Sequence, residues 1–235
     1  MGKNEIKNKI KSKTRIRARI LMCRLLYANS KKEFPAAEYL SRFSEISKNS
    51  KEFQGHGWGF AYVKDNSWKY YKNVNPIWEC DLGGFGNTTR LIAHARSAFK
   101  DEGIVVENNM PFYDENYIFI FNGQLSGVKI KEEGRIGAEK IFNYIKRFDT
   151  GNLKDALEKG TEIIKKKSSY IKAMNIIMTD PKAAYVSSHF NEEEEYFTMH
   201  YKLTNDSIVI CSDPFIGESN WCPITNNSLT EYRCF

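Results

Sequence analysis

Met22-Cys23-Arg24-Leu25-Leu26-Tyr27 decides how this 235-residue chain is read. The run is compact and apolar enough to be a buried strand, and near its head a methionine directly precedes a cysteine. A cysteine in an apolar strand is, by itself, a small buried hydrophobe. Placed first in a chain it becomes a nucleophile that carries its own base. Its thiol has an ordinary pKa of about 8.5 and a free α-amine one of about 7.7 to 8.0, so the amine can take the thiol proton near neutral pH. No distant histidine is then required.

The sequence before this strand differs in character from everything after it. Residues 1–21 hold eight of the 35 basic residues and one of the 29 acids, which leaves 27 against 28 for the remainder, a net charge of −1. The segment reads first as a solvated tail, with a nucleic-acid or membrane arm as the alternative; it can equally be absent from the mature protein. We therefore divide the chain into a basic leader over 1–22, either a propeptide or a start assigned too early, and one domain over 23–235. A content of 41% hydrophobic and 14% aromatic residues supplies that domain with a core. No stretch approaches the roughly 18 to 20 apolar residues of a membrane span, and no secretory signal is present, so a cytoplasmic protein is expected. Cys23, Cys80, Cys211, Cys222 and Cys234 show no CxxC spacing and the histidines no HxxxH pair; neither a disulfide framework nor a metal or cofactor site is expected.

Along the domain, Pro35 opens a helix over 36–47 with Tyr39, Leu40, Phe43 and Ile46 on one face. Strands are predicted over 58–64, 68–72, 91–95 and 117–121, with Asp65-Asn66 as a turn. Helices follow over 138–148 and 153–167. The last third reads as strands over 174–178, 183–187, 196–203 and 208–211, and Glu192 to Glu195 as a solvated loop. Strands, two helices and strands again predict an α+β protein with helices layered on mainly antiparallel sheets.

Two further pieces accompany the cysteine strand: His94-Ala95-Arg96-Ser97-Ala98 and Phe121-Asn122-Gly123-Gln124-Leu125. Alone, Asn122-Gly123 is a hairpin turn, Arg96 an ion-pair partner, and His56 or His94 a structural histidine. In this order, together with Gly57-Trp58-Gly59-Phe60 and Cys211-Ser212-Asp213-Pro214, they resemble the class II glutamine amidotransferases, in particular the small stand-alone type beginning Cys-Arg-Leu-Leu. The resemblance runs from Met22 to near the C-terminus. It implies a four-layer αββα sandwich of the N-terminal-nucleophile hydrolase type. It also implies Cys23 as nucleophile through a thioester, Asn122 and the Gly123 N–H as oxyanion hole, and Arg96 as the holder of the glutamine α-carboxylate, a task suited to a bidentate guanidinium.

The recognition set departs from that family. Where the aspartate that binds the α-ammonium is expected, this chain has Gly137; Arg135 lies nearby, and Glu132 or Glu133 could substitute only through a shifted loop. Met110 and Phe121 stand where histidines are usual. Three functions follow: glutamine amide hydrolysis with an acceptor site on a synthase partner chain, hydrolysis of a γ-glutamyl or other amide, and a non-catalytic binding module. The near-neutral domain disfavours nucleic acid as a partner. The mechanism needs a free amine on Cys23, supplied by initiation at Met22 with methionine removal or by cleavage after Met22. Intact-mass measurement of natively expressed protein is expected to give a chain beginning at Cys23; a mature chain retaining Lys3 to Arg19 would contradict both routes.

Overall fold

The computed structural model describes residues 22–98 and 102–235; the basic segment 1–21 lies outside the described residues. The chain alternates between two antiparallel sheets. The first holds β1 (Arg24–Pro35), β2 (Trp58–Lys64), β3 (Ser67–Asn73), β4 (Asn87–Ala95), β9 (His200–Leu203), β10 (Ser207–Cys211) and β11 (Cys222–Pro223), in the order β11-β9-β10-β1-β4-β2-β3. The second holds β5 (Phe112–Tyr113), β6 (Ile118–Ser126), β7 (Tyr170–Thr179), β8 (Ala183–Ser188) and β12 (Ser228–Arg233), in the order β12-β8-β7-β6-β5.

Alternation along each strand decides the layering. Leu26 and Ala28 of β1 face outward with Leu91 and Ala93 of β4, and are covered by Leu40, Phe43 and Ile46 of α1 (Ala36–Lys48). Leu25, Tyr27 and Ile92 point the other way, into a cluster shared with Ile118 and Ile120 of β6. The opposite face of β6 is covered by α2 (Gly137–Lys146) and α3 (Leu153–Lys167), with Phe119 stacked on Phe142 at 5.2 Å. The result is helix, sheet, sheet, helix: the four-layer α+β sandwich expected.

Two local expectations change. Residues 196–203 are not one strand, because α4 (Glu194–Phe197) turns Tyr196 and Phe197 into a small apolar cluster with Met22, Ala173 and Phe190 before β9 begins. The acidic run before it is partly tied down, since Glu193 pairs with the buried ammonium of Lys172 at 2.6 Å. Asn122-Gly123 is not a hairpin turn; both residues lie inside β6, opposite Asn175 and Met174 of β7. β5, β11 and β12 are edge strands that only pairing creates, as their sequences carry no clear alternation.

α3 approaches α2 through Gly160, where an added Cβ would lie 2.9 Å from Cγ1 of Ile145. Gly160→Val should therefore force the helices apart and lower stability by about 1 to 3 kcal/mol in denaturant unfolding, despite valine being the better helix former.

Candidate active site

The first turn of chain before β1 lies where the two sheets meet. The backbone N–H of Cys23 donates to Oδ1 of Asn122 at 2.9 Å, a contact across 99 residues of sequence. The Ser97 N–H points at Sγ of Cys23 from 3.5 Å, so the end of β4 closes the other side. Three of the sequence-predicted pieces thus converge. Asn122 is fully buried; its Oδ1 is occupied while its Nδ2 has no partner among the described residues, a buried donor aimed at nothing. Such a group costs stability unless a ligand uses it. Gly123 beside it admits no side chain, because a Cβ would collide with the carbonyl of Ala173 on β7.

Arg96 continues the same face of β4 two residues beyond His94 and is buried at 6% exposure. Its guanidinium donates to the carbonyl of Gly103 at 2.8 Å and to Oδ1 of Asn109 at 3.5 Å, so segment 102–109 folds over it. His56 shapes this corner: its N–H donates to the Arg96 carbonyl, and its Nδ1 accepts from the Ala98 N–H at 2.8 Å. Gly57, at φ 103°, returns its carbonyl to the Arg96 N–H, and a Cβ there would strike the Asn109 amide. His94 is structural: burial foremost, and then Arg96, pull its pKa to about 3, so it is neutral at pH 7.

The Cys211-Ser212-Asp213 motif acts by holding β1 in place. Ser212 Oγ accepts from the Leu25 N–H at 3.0 Å, and Asp213 pairs with the buried Arg24 at 3.2 Å, whose guanidinium lies 4.2 Å over the Tyr196 ring. Two residues that the sequence did not single out complete the wall. Gln54 and Tyr196 both donate to the Met22 carbonyl, Tyr196 at 2.9 Å, and Met22 itself is fully buried. Gln54 lies in the loop between α1 and β2 with no motif around it.

The recognition departures look different in place. Phe121 points away from the site, on the face of β6 opposite Asn122, and Met110 is core. Gly137 opens α2 with nothing within 4 Å of its Cβ position. Arg135 is engaged, its guanidinium gripping both carboxylate oxygens of Glu139. Among the described residues no group of three or more histidines, cysteines or carboxylates could hold a metal, and no helix is long and apolar enough to cross a membrane.

This arrangement has solved counterparts. The chain superposes on glutamine phosphoribosylpyrophosphate amidotransferase from B. subtilis with a TM-score of 0.65 at 15% identity, over 90% of this chain and 49% of that one. It is similarly close to a glutamine aminotransferase class-II domain protein from Silicibacter pomeroyi, with a TM-score of 0.57, 13% identity, and coverage of 90% and 99%. A predicted glutamine amidotransferase from Pseudomonas aeruginosa gives 0.53, 15%, 92% and 94%. The fold is that of the class II glutamine amidotransferases. The chain spans about half the length of the first of these structures. No family profile matches the sequence, and no curated protein aligns with it.

With Met22 attached, burial pushes the Cys23 thiol up to about 11, opposed in part by the Ser97 backbone and Arg96. At such a value only about one thiol in 10⁴ is ionised at pH 7. In a chain retaining Met22, Cys23 should therefore be alkylated slowly by iodoacetamide at pH 7, at a rate that climbs steadily to pH 10 when read by peptide mass mapping, which separates it from the exposed Cys222; reaction of Cys23 at the speed of free cysteine would contradict this environment.

Proposed function

We propose that the chain hydrolyses the side-chain amide of glutamine by means of an N-terminal Cys23, releasing ammonia. The observation that carries this reading is the buried Asn122 amide, with Oδ1 on the Cys23 nitrogen and an unpartnered Nδ2 beside it. Once Cys23 begins the chain, its α-amine takes the thiol proton and Sγ attacks the amide carbon. The resulting oxyanion is stabilised by Asn122 Nδ2 and the Gly123 N–H. The protonated amine then hands its proton to the leaving nitrogen, the C–N bond breaks, and ammonia departs to leave a thioester. Water, deprotonated by the same amine, hydrolyses the thioester to glutamate and restores the thiol.

Arg96 is the candidate for the α-carboxylate, and its present partners set a condition. The Gly103 carbonyl and Asn109 Oδ1 occupy Nη1, so a carboxylate pairing at that nitrogen would displace them, and substrate binding there is linked to the position of segment 102–109. A charge-assisted, bidentate pair is the stronger of the two interactions. The open space at Gly137, with Glu139 already engaged by Arg135, favours a second reading in which the substrate is another amide, one without a free α-ammonium. Under the first reading, the ammonia would pass to an acceptor site on a synthase partner chain.

Ammonia release should be measured for chains beginning at Cys23, with glutamine and N-acetylglutamine as substrates. Cys23→Ala should abolish turnover, and Asn122→Ala should lower kcat by about 10² to 10³ with little change in folding, the effect of removing one oxyanion donor. Preference for N-acetylglutamine would select the second reading, and no release from either amide would overturn both.

A further inference from the structure

A cleft of about 480 Å³ opens between β3, residues 106–113 and the start of α2, and none of Cys23, Asn122 or Arg96 lines it. Its floor is set by register. Leu25, His94, Gly59 and Lys72 form one row of directly opposed residues across β1, β4, β2 and β3. Gly59 leaves this row without a side chain, and Cγ of Lys72 lies 2.9 Å from where its Cβ would be, so the lysine stem runs across the glycine. The half-buried ammonium of Lys72 lies 5.4 Å from the Phe112 ring and 5.6 Å from that of Tyr113. Both rings are on the cleft wall.

The other two cations lining the cleft are already matched. Arg135 holds Glu139 through a fork of hydrogen bonds, and Lys146 pairs with Asp114 at 2.8 Å. Glu107 also lines the cleft and forms no ion pair among the described residues. Lys72 forms none among them either, so the cleft holds an ammonium without a salt-bridge partner, set against two aromatic rings. Burial, foremost, and the neighbouring Arg135 draw its pKa down to about 8, opposed by Glu139 and Glu107, which leaves it protonated at pH 7.

We propose that this cleft is a second small-molecule site, one that takes a ligand bearing a carboxylate or phosphate group, with Lys72 as the charge contact and Phe112 and Tyr113 against the ligand body. Its position gives it access to the first site. Segment 102–113 presents Gly103 and Asn109 to Arg96 on one side and Val106, Glu107, Phe112 and Tyr113 to the cleft on the other. An anion seated on Lys72 therefore rests on the chain that covers Arg96.

The test is calorimetric titration of the whole chain at pH 7 with inorganic phosphate and with succinate, which separates a phosphoryl from a carboxylate ligand and does not depend on amide hydrolysis. Saturable binding of at least one anion is expected, weakened at least tenfold in Lys72→Met, retained in Lys72→Arg and strengthened in Glu107→Gln, with melting temperatures unchanged. Equal affinity in wild type and Lys72→Met, or no saturable binding of either anion by wild type, would overturn the proposal.

Discussion

The hydrogen bond from the Cys23 N–H to Asn122 Oδ1 ties the residue just before β1 to the middle of β6, and so one sheet to the other at the point where chemistry is proposed. Around it the interlayer is apolar, filled by Leu25, Tyr27, Ile92, Ile118 and Ile120. A polar contact in such surroundings is strong when complete and costly when half made. Asn122 is half made: one side of its amide is satisfied and the other is not. The clamp of Ser212, Asp213 and Arg24 on the start of β1 keeps Cys23 at the asparagine and leaves no freedom to relieve that deficit.

The same burial sets two opposed demands on Cys23. It partly shields the nucleophile from water, which strengthens the hydrogen bonds offered to an oxyanion. It also disfavours the thiolate, whose pKa rises to about 11 while the nitrogen is an amide. A free amine on the same residue resolves the conflict by accepting the proton as the thiol reacts. The Met22 carbonyl, held by Gln54 and Tyr196, occupies the space that such an amine would open onto.

Segment 102–113 is the element through which the two sites meet. It has little secondary structure of its own and is held by side chains: Asn108 Nδ2 to the Gly103 carbonyl at 2.9 Å and Asn109 Nδ2 to the Asn73 carbonyl at 2.8 Å. Ile104, Val105 and Val106 are exposed along it. Its first half, 102–107, is exposed and lies outside any ladder, the features of a stretch that can shift at low cost, whereas 108–112 are buried and β5 pairs with β6.

Much of this molecule was legible in the sequence. Alternation and 3-4 spacing placed α1, α3 and β2 nearly to the residue, because one-sided burial leaves a period in the chain. The order of the Cys23, Arg96 and Asn122 pieces pointed to one site, since each carries a distinctive residue type. The sequence could not show that Asn122-Gly123 lies within a strand, as the dipeptide favours a turn locally and only the ladder with β7 overrides it. Nor could it show Gln54 and Tyr196 on Met22, the carbonyls that occupy Arg96, or the ammonium of Lys72 without a salt-bridge partner. Those are contacts between residues far apart in the chain, made only when the sheets stack. Local periodicity determines which face of an element is buried; what lies against that face is decided by packing.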